Sequence, residues 1–426
     1  MRAVVVALGK IGLPLAAQIA LAGHDVIGCD IDPRVVELVN AAEPPFPGET
    51  GLAEALERLV PDGRLRATSD TTAAVAEGAD LVIAVPPLVV DEAARPDFRI
   101  LDAVVQDIGR GLQPGTTVSI ETTMPAGTTR QRLAPALAKA SGLASEQDFF
   151  TVHSPERVYS GRVFQDLREY PKLVGGLTPE GEARAVELYR GFLDAEVRGM
   201  GSAEAAELTK LAETTYRDVN IALANEFARH ADDLGVDIDA VIDAANSQPY
   251  SHIHRPGVAV GGHCIPVYPR FYLSGDPRAQ LPTVAREVNL GMPGYAIDLL
   301  AEQLGGDLRD QRVLILGAAY RGGVKETAFS GAFGLRDELL RRGALPLCAD
   351  PLYAPHELRA LGLEPWDGAA VDGAIVQADH AEYRALTPAA LPGVRAIVDG
   401  RNVLDAAAFT AAGVPVQRIG RPASTP

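Results

Sequence analysis

The sequence predicts an α/β protein with two doubly wound parallel-sheet domains, joined by a central helical domain that contains one long spine helix. Three observations carry this expectation. Through the first 200 residues, short apolar runs rich in β-branched side chains alternate with stretches of helical periodicity, the pattern of a parallel sheet covered on both faces. Residues 202–234 then contain neither Gly nor Pro, and their apolar positions recur every three or four residues, as in a single helix. From Gln311 onward the strand–helix alternation starts again. The expected division of the chain is 1–200, 201–305 and 306–426.

In order, residues 2–8 form the first strand, 11–23 a helix and 25–30 the second strand. Residues 81–85 and 116–121 are further strands between Ala-rich helical stretches, and 153–193 complete the domain in the same style. After the spine helix, RPGVAVGGHCIPVYPR (255–270) is too rich in Gly and Pro for regular structure. Helix returns over 282–304. RVLILGAAY (312–320) opens the last domain with a strand, followed by a helix through 339–342 and a strand ending at Asp350. RPASTP (421–426) reads as a frayed tail.

Composition narrows the function. The 426 residues carry a formal net charge of −17, which argues against nucleic acid or an anionic membrane surface as partner. A few arginines can still build a local pocket for an anionic small molecule. Three widely spaced cysteines (Cys29, Cys264, Cys348) make no disulfide framework. The N-terminal MRAVVVALG enters a strand without the layout of a secretory leader, and no apolar run reaches the roughly 18 residues of a membrane span. A cytoplasmic protein is expected. Only five of the 39 basic residues are lysines, so any lysine in an interior-looking stretch stands out.

Three stretches carry chemistry. Ala7-Leu8-Gly9-Lys10-Ile11-Gly12 lies between strand and helix and matches a dinucleotide fingerprint whose first glycine is Ala7. Backbone amides at the helix start would face a pyrophosphate, and Asp30, ending the second strand, would bond ribose hydroxyls, favouring NAD over NADP. A tight βα turn without ligand is the plainer alternative. Gly261-Gly262-His263-Cys264-Ile265-Pro266 holds a cysteine in a glycine-rich loop ahead of a rigid X-Pro, suited to a nucleophile presented at a fixed angle. The alternatives are an inert cysteine, or zinc among His252, His254, His263 and Cys264, although no second cysteine or carboxylate stands at ligand spacing. On the spine helix, Lys210, Thr214, Arg217 and Ile221 share one face at spacings of four, three and four, and Lys210 alone would pass for a surface lysine.

Taken together, these motifs resemble the UDP-glucose/GDP-mannose dehydrogenase family of nucleotide-sugar 6-dehydrogenases. Within it they are most similar to the bacterial branch that includes UDP-N-acetylmannosamine and UDP-N-acetylglucosamine dehydrogenases. The resemblance spans the chain in order: GKIGLP (9–14), ETTMPAGTT (121–129), SPERVYSGR (154–162), AELTKLAETTYR (206–217), GGHCIP (261–266), GAAYRGGVKET (317–327) and VDGRNVLD (398–405). It implies two Rossmann-like domains, one for NAD and one for a UDP-sugar, in a homodimer joined through the central helix. The implied reaction is a four-electron oxidation of the sugar C6 alcohol to a carboxylate with two NAD⁺, without a metal. Lys210 would assist removal of the alcohol proton, Cys264 would form a thiohemiacetal and then a thioester, and Glu156 would position or activate the hydrolytic water.

The same resemblance implies further contacts. Gly9, Lys10, Ile11, Gly12, Asp30, Arg34, Pro87 and Thr123 would contact the cofactor, with Thr123 also near the reacting carbon. Arg157, Val158, Lys210, Thr214, Arg217, Tyr250, His252, Arg255, Gly261, Tyr320, Arg321 and Arg401 would contact the nucleotide or sugar. Four positions depart from the family's pattern. They are Ala7 for the first fingerprint glycine, Thr214 for an asparagine, Tyr268 for an aspartate thought to orient the cysteine, lysine and water, and Ala328 for an arginine. An N-acetylhexosamine is the expected sugar, with glucose second. A non-catalytic nucleotide-sugar binding protein is the expectation of another class.

Overall fold

The computed structural model describes residues 1–424 apart from Glu92 and Ser160. The chain forms two compact units, Met1–Glu213 with Arg270–Pro277, and Thr214–Pro269 with the segment from Arg278 onward. The division falls within the spine helix, whereas the sequence reading places boundaries near 200 and 305.

In the first unit, valine-rich and alanine-rich runs supply an eight-stranded sheet. Its strands are β1 (Arg2–Val6), β2 (Asp25–Cys29), β3 (Leu65–Thr68), β4 (Leu81–Ala84), β7 (Thr117–Ile120), β8 (Phe150–His153), β9 (Lys172–Gly176) and β10 (Val197–Gly199). A small hairpin of β5 (Val89–Val90) and β6 (Pro96–Asp97) stands apart. The sheet order is β3-β2-β1-β4-β7-β8-β9-β10. β4, β7 and β8 are buried along their whole length, as strands covered on both faces must be. Beneath them Leu8, Leu13, Leu15 and Ile19 are fully buried in the main core of this unit. The order reverses direction between β1 and β4, where the carboxyl ends of a doubly wound sheet open a crevice for ligand. One expectation is corrected: β9 runs antiparallel to β8, so the sheet is mixed.

The second unit repeats the layout on a smaller scale, with β11 (Arg312–Leu316), β12 (Leu345–Ala349), β13 (Gly373–Val376), β14 (Ala396–Asp399), β15 (Val416–Arg418) and β16 (Arg421–Ser424). Its order is β12-β11-β13-β14-β15-β16, with a switch point between β11 and β13. β16 replaces part of the frayed tail expected at 421–426. It pairs antiparallel with β15, and the Arg421 guanidinium anchors it to Asp237, at 3.0 Å, and to Asp239. Thr425 and Pro426 lie outside the described residues.

The spine helix runs from Ala203 to Leu234, 32 residues. The helix expected at 282–304 spans Gln280–Gln303 and tolerates Pro293 in its interior. The Gly/Pro-rich segment is irregular only as far as Val267, because Tyr268–Gly275 is helical. Pro269 sits in that helix's first turn, where a missing N–H breaks no intrahelical bond.

Candidate active site

The fingerprint turn joins β1 to the helix Gly12–Leu21. Ala7 sits there with φ 77, the left-handed backbone that the replaced glycine would adopt without strain. The Ala7 N–H bonds the Cys29 carbonyl at 2.8 Å, so the turn keeps its shape despite the Cβ. Gly12 is needed for contact: a Cβ there would lie 1.9 Å from the Ala7 carbonyl oxygen. Gly9 and Lys10 are exposed. One Asp30 oxygen accepts the Leu8 N–H at 2.8 Å and the other accepts the Asp32 N–H at 2.9 Å. The half-exposed carboxylate retains lone pairs for ribose hydroxyls. Arg34 follows on the surface, paired with Asp32. These residues fit a dinucleotide, which would supply a hydride acceptor over this edge of the sheet.

Along the same carboxyl edge, Pro87 is exposed beyond β4 and Thr123 is buried beyond β7. The Thr122 hydroxyl donates to the Pro86 carbonyl at 2.6 Å and locks the two strand ends together. Glu207, one helical turn before Lys210, accepts the Gly127 N–H at 2.5 Å and the Thr129 N–H at 2.8 Å. The buried Glu207 carboxylate thus ties the base of the spine helix to the loop that carries Thr123. Burial pushes its carboxyl up.

Glu156 follows β8. One of its oxygens accepts the N–H groups of Arg157 at 2.5 Å and Val158 at 2.9 Å, and the other lies 3.1 Å from Lys172 Nζ. The same ammonium is 2.7 Å from Glu121, which also receives the Tyr189 hydroxyl. Lys172 is a member of this site that sequence reasoning missed. The available signal was a scarce lysine opening the apolar run KLVGG (172–176). The Arg157 guanidinium bonds the Pro171 carbonyl at 3.2 Å and Glu213 at 2.7 Å.

In the second unit, a cavity of about 200 Å³ is lined by Arg217, Arg255, Gly261, Tyr320, Arg321 and Arg401 among others. These six come from four separate motifs. Four guanidinium groups around so small a space suit a diphosphate. Arg401 is aimed by its Nε–H to the Gln377 carbonyl at 2.6 Å. Arg255 is braced by Asp239 and Asp243 of the helix Ile238–Ala245. Gly261 and Gly262 let the loop lie against Tyr320, since a Cβ on Gly261 would come 2.6 Å from the Tyr320 Cβ. The Ala328 carbonyl accepts the Gly262 N–H at 2.8 Å, so the backbone at this departing position still holds the loop.

Cys264 emerges from that loop exposed, and its carbonyl accepts the Tyr268 N–H at 2.9 Å. The other two thiols are buried: burial pushes Cys29 up to about 12 and raises Cys348 further. His263 points toward Glu326 at 3.5 Å. Tyr250, 91% exposed, and His252 do not line the cavity, and Thr214 is buried on the spine helix. The segment between them and the cavity is pinned instead by asparagines. Asn220 bonds the His252 carbonyl and the His254 N–H, Asn246 bonds both backbone groups of Ile253, and Asn225 accepts the Gly257 N–H. Among the described residues no group of three or more His, Cys, Asp or Glu is arranged to hold a metal ion. No described helix is long and apolar enough to cross a membrane.

A Rossmann-type sheet with an open fingerprint turn, accompanied by an arginine-lined anion cavity beside an exposed cysteine, defines a dinucleotide-dependent dehydrogenase of anionic substrates. Residues 1–193 match the family model described as the UDP-glucose/GDP-mannose dehydrogenase family, NAD binding domain, and residues 204–289 match that family's central domain. The chain is 33% identical to the UDP-N-acetyl-D-mannosamine dehydrogenase of Pyrococcus horikoshii, over 95% of this chain and 96% of that one. It is 32% identical to the NDP-N-acetyl-D-galactosaminuronic acid dehydrogenase of Ralstonia nicotianae, over 94% and 96%. Among solved structures, the UDP-D-ManNAc dehydrogenase of Pyrococcus horikoshii superposes with a TM-score of 0.88 at 31% identity, covering 99% of both chains. A UDP-glucose dehydrogenase of Pyrobaculum islandicum gives 0.86 at 27%, covering 99% of this chain and 98% of that one. The chain belongs to the UDP-glucose/GDP-mannose dehydrogenase family and is an NAD-dependent nucleotide-sugar dehydrogenase.

Proposed function

We propose that this enzyme oxidises the C6 hydroxyl of a UDP-N-acetylhexosamine, UDP-N-acetylmannosamine first, to the uronic acid, through covalent intermediates on Cys264. The observation that carries the reading is the four-arginine cavity bounded by the glycine turn that presents the exposed cysteine. The choice of sugar rests on the relatives, whose names specify UDP-N-acetyl-D-mannosamine and NDP-N-acetyl-D-galactosaminuronic acid. UDP-glucose stands second, in view of the likeness to a UDP-glucose dehydrogenase.

In this reading residues 1–200 bind NAD through Gly9–Gly12, Asp30 and Thr123, and residues 306–426 bind the UDP group. Each molecule of NAD⁺ accepts one hydride. Lys210 assists removal of the alcohol proton in the first oxidation and steadies the developing oxyanion. The Cys264 thiolate adds to the aldehyde carbon, and loss of the second hydride from that thiohemiacetal leaves a thioester. Water adds to the thioester carbonyl, the C–S bond breaks with its electron pair going to sulfur, and Glu156 takes the water proton. The balance is alcohol, two NAD⁺ and water giving carboxylate, two NADH and three protons.

The working form is a cytoplasmic homodimer through the spine helix. Tyr216, Leu223, Phe227 and Leu234 recur there at spacings of seven, four and seven, each at least 42% exposed. Incubation with NAD⁺ and a panel of UDP-sugars, following NADH, tests the reading. Two NADH per sugar are expected, with UDP-N-acetylmannosamine turned over fastest. Cys264→Ser should form no detectable acid. Binding across the panel without any NADH would make the chain a non-catalytic binding protein.

A further inference from the structure

The buried cluster behind Glu156 is larger than a base needs. Glu121 directly follows β7, Lys172 begins β9, and Tyr189 comes from the helix Pro179–Arg190. Their side chains converge with Ser119, whose hydroxyl is 2.8 Å from the Tyr189 hydroxyl. Glu121 is fully buried, Lys172 is 5% exposed, and Glu156 alone reaches toward the surface, at 12%.

Two carboxylates and one ammonium in a space closed to water carry a net negative charge, which favours retention of one further proton. The structure indicates where that proton sits. Glu156 Oε1 accepts two backbone N–H groups, an arrangement that favours the ionised form. The Glu121 carboxylate instead receives the Lys172 ammonium and the Tyr189 hydroxyl, and it is the more deeply buried. Burial pushes Glu121 up to about 7, while Glu156 is held low by Lys172 and its hydrogen bonds despite its own burial. Lys172 stays protonated, its burial outweighed by the two carboxylates. The remaining titratable neighbour, His153 on β8, is driven down to about 3 by burial and by Lys172, and stays neutral. The Arg157 guanidinium is engaged with Pro171 and Glu213, while Lys172 bonds Glu156 directly.

We infer that Lys172 is a positioning residue that keeps the Glu156 carboxylate ionised and aimed for proton abstraction, and that the buried Glu121 carboxyl takes the further proton and, as a neutral hydrogen-bond partner, supports that ionised state. The functional part rests on the proposed role of Glu156 in thioester hydrolysis. Glu156 is the one acid among the residues proposed for this step, and its charge state decides whether water is activated.

Lys172 acts through its charge and Glu121 as a neutral hydrogen-bond partner, which makes the test specific. Lys172→Met should move the acid limb of the kcat–pH profile up by about one unit or more and lower kcat about 100-fold at neutral pH. The Cys264 thioester should accumulate, visible as added mass on quenched protein, while the first hydride transfer keeps its rate. Lys172→Arg should restore most of the rate. Glu121→Gln, which keeps a neutral side chain able to donate, should leave the limb in place, whereas Glu121→Leu should move it up. Isotope-edited infrared titration of the glutamate carboxylates, without substrate, reads the Glu156 charge independently of turnover. An unmoved Glu156 titration in both Lys172→Met and Glu121→Leu overturns the inference. A moved titration with an unmoved kcat limb leaves the charge assignment standing and overturns the role given to Glu156. If Lys172→Met does not fold, Glu121→Leu decides: an upward shift supports the inference and an unmoved titration overturns it.

Discussion

The first turn of each sheet uses the same hydrogen-bond frame, yet the two turns are put to different uses. After β1, Ala7 bonds the carbonyl ending β2, and Asp30 accepts the next amide at 2.8 Å. After β11, Gly317 with φ 108 bonds the Ala349 carbonyl, and Asp350 accepts the Ala318 amide at 2.8 Å. The acids then diverge. Asp30 keeps an open edge, whereas Asp350 is buried and also holds the Ala319 amide and His380 Nε2, at 3.0 and 3.1 Å. The helices diverge too: one starts at Gly12, immediately after its turn, and the other only at Gly331, beyond a long loop. The frame is therefore a structural device. A dinucleotide site needs, in addition, a free acid edge and a helix N-terminus aimed at the turn. Where these are missing, the second unit instead gathers four arginine side chains around a cavity.

Substitutions can break this contrast, and the largest effect is expected at Gly12. In Gly12→Val the side chain collides with the Ala7 carbonyl, so NAD⁺ affinity should fall by more than about 100-fold while UDP affinity, measured by calorimetry, is kept. Asp350→Ala leaves three buried donors without their acceptor, and urea unfolding should report a loss of about 2–3 kcal/mol with KM for NAD⁺ unchanged. Asp30→Asn should raise KM for NAD⁺ about tenfold, roughly 1.4 kcal/mol, with a smaller change in stability. The smallest change sharpens the comparison. Ala7→Gly relieves a left-handed alanine and should stabilise the fold by about 0.5–1 kcal/mol, net of the glycine's greater freedom when unfolded. If Asp30→Asn costs stability and leaves KM unmoved, the two turns are equivalent after all.

What could be read in advance follows from how local each constraint is. Gly12, Asp30, Gly261 and Cys264 lie in short motifs whose turn geometry is local, and the sequence exposes them directly. The paired sheets and the spine helix were legible for the same reason, since periodicity is a property of consecutive residues. Lys172 was not, because its burial depends on Glu121 and Glu156, which come from separate strand ends. The reversed direction of β9 and the ordering of β16 by Arg421 depend on partners elsewhere in the chain, and nothing within those segments announces them. Tyr250 and His252 precede the cavity-lining Arg255 on a segment clasped by Asn220 and Asn246, so their placement too is set by partners elsewhere in the chain.

The unequal burial of the three thiols gives the folded enzyme a chemical handle. A maleimide or iodoacetamide reagent at neutral pH should meet one reactive sulfur per chain, because Cys29 and Cys348 are enclosed by their sheets and held protonated. Labelling stoichiometry then counts competent sites in any preparation. Protection by a UDP-sugar or by NAD⁺ would report which ligand shields the sulfur, with no change to the sequence.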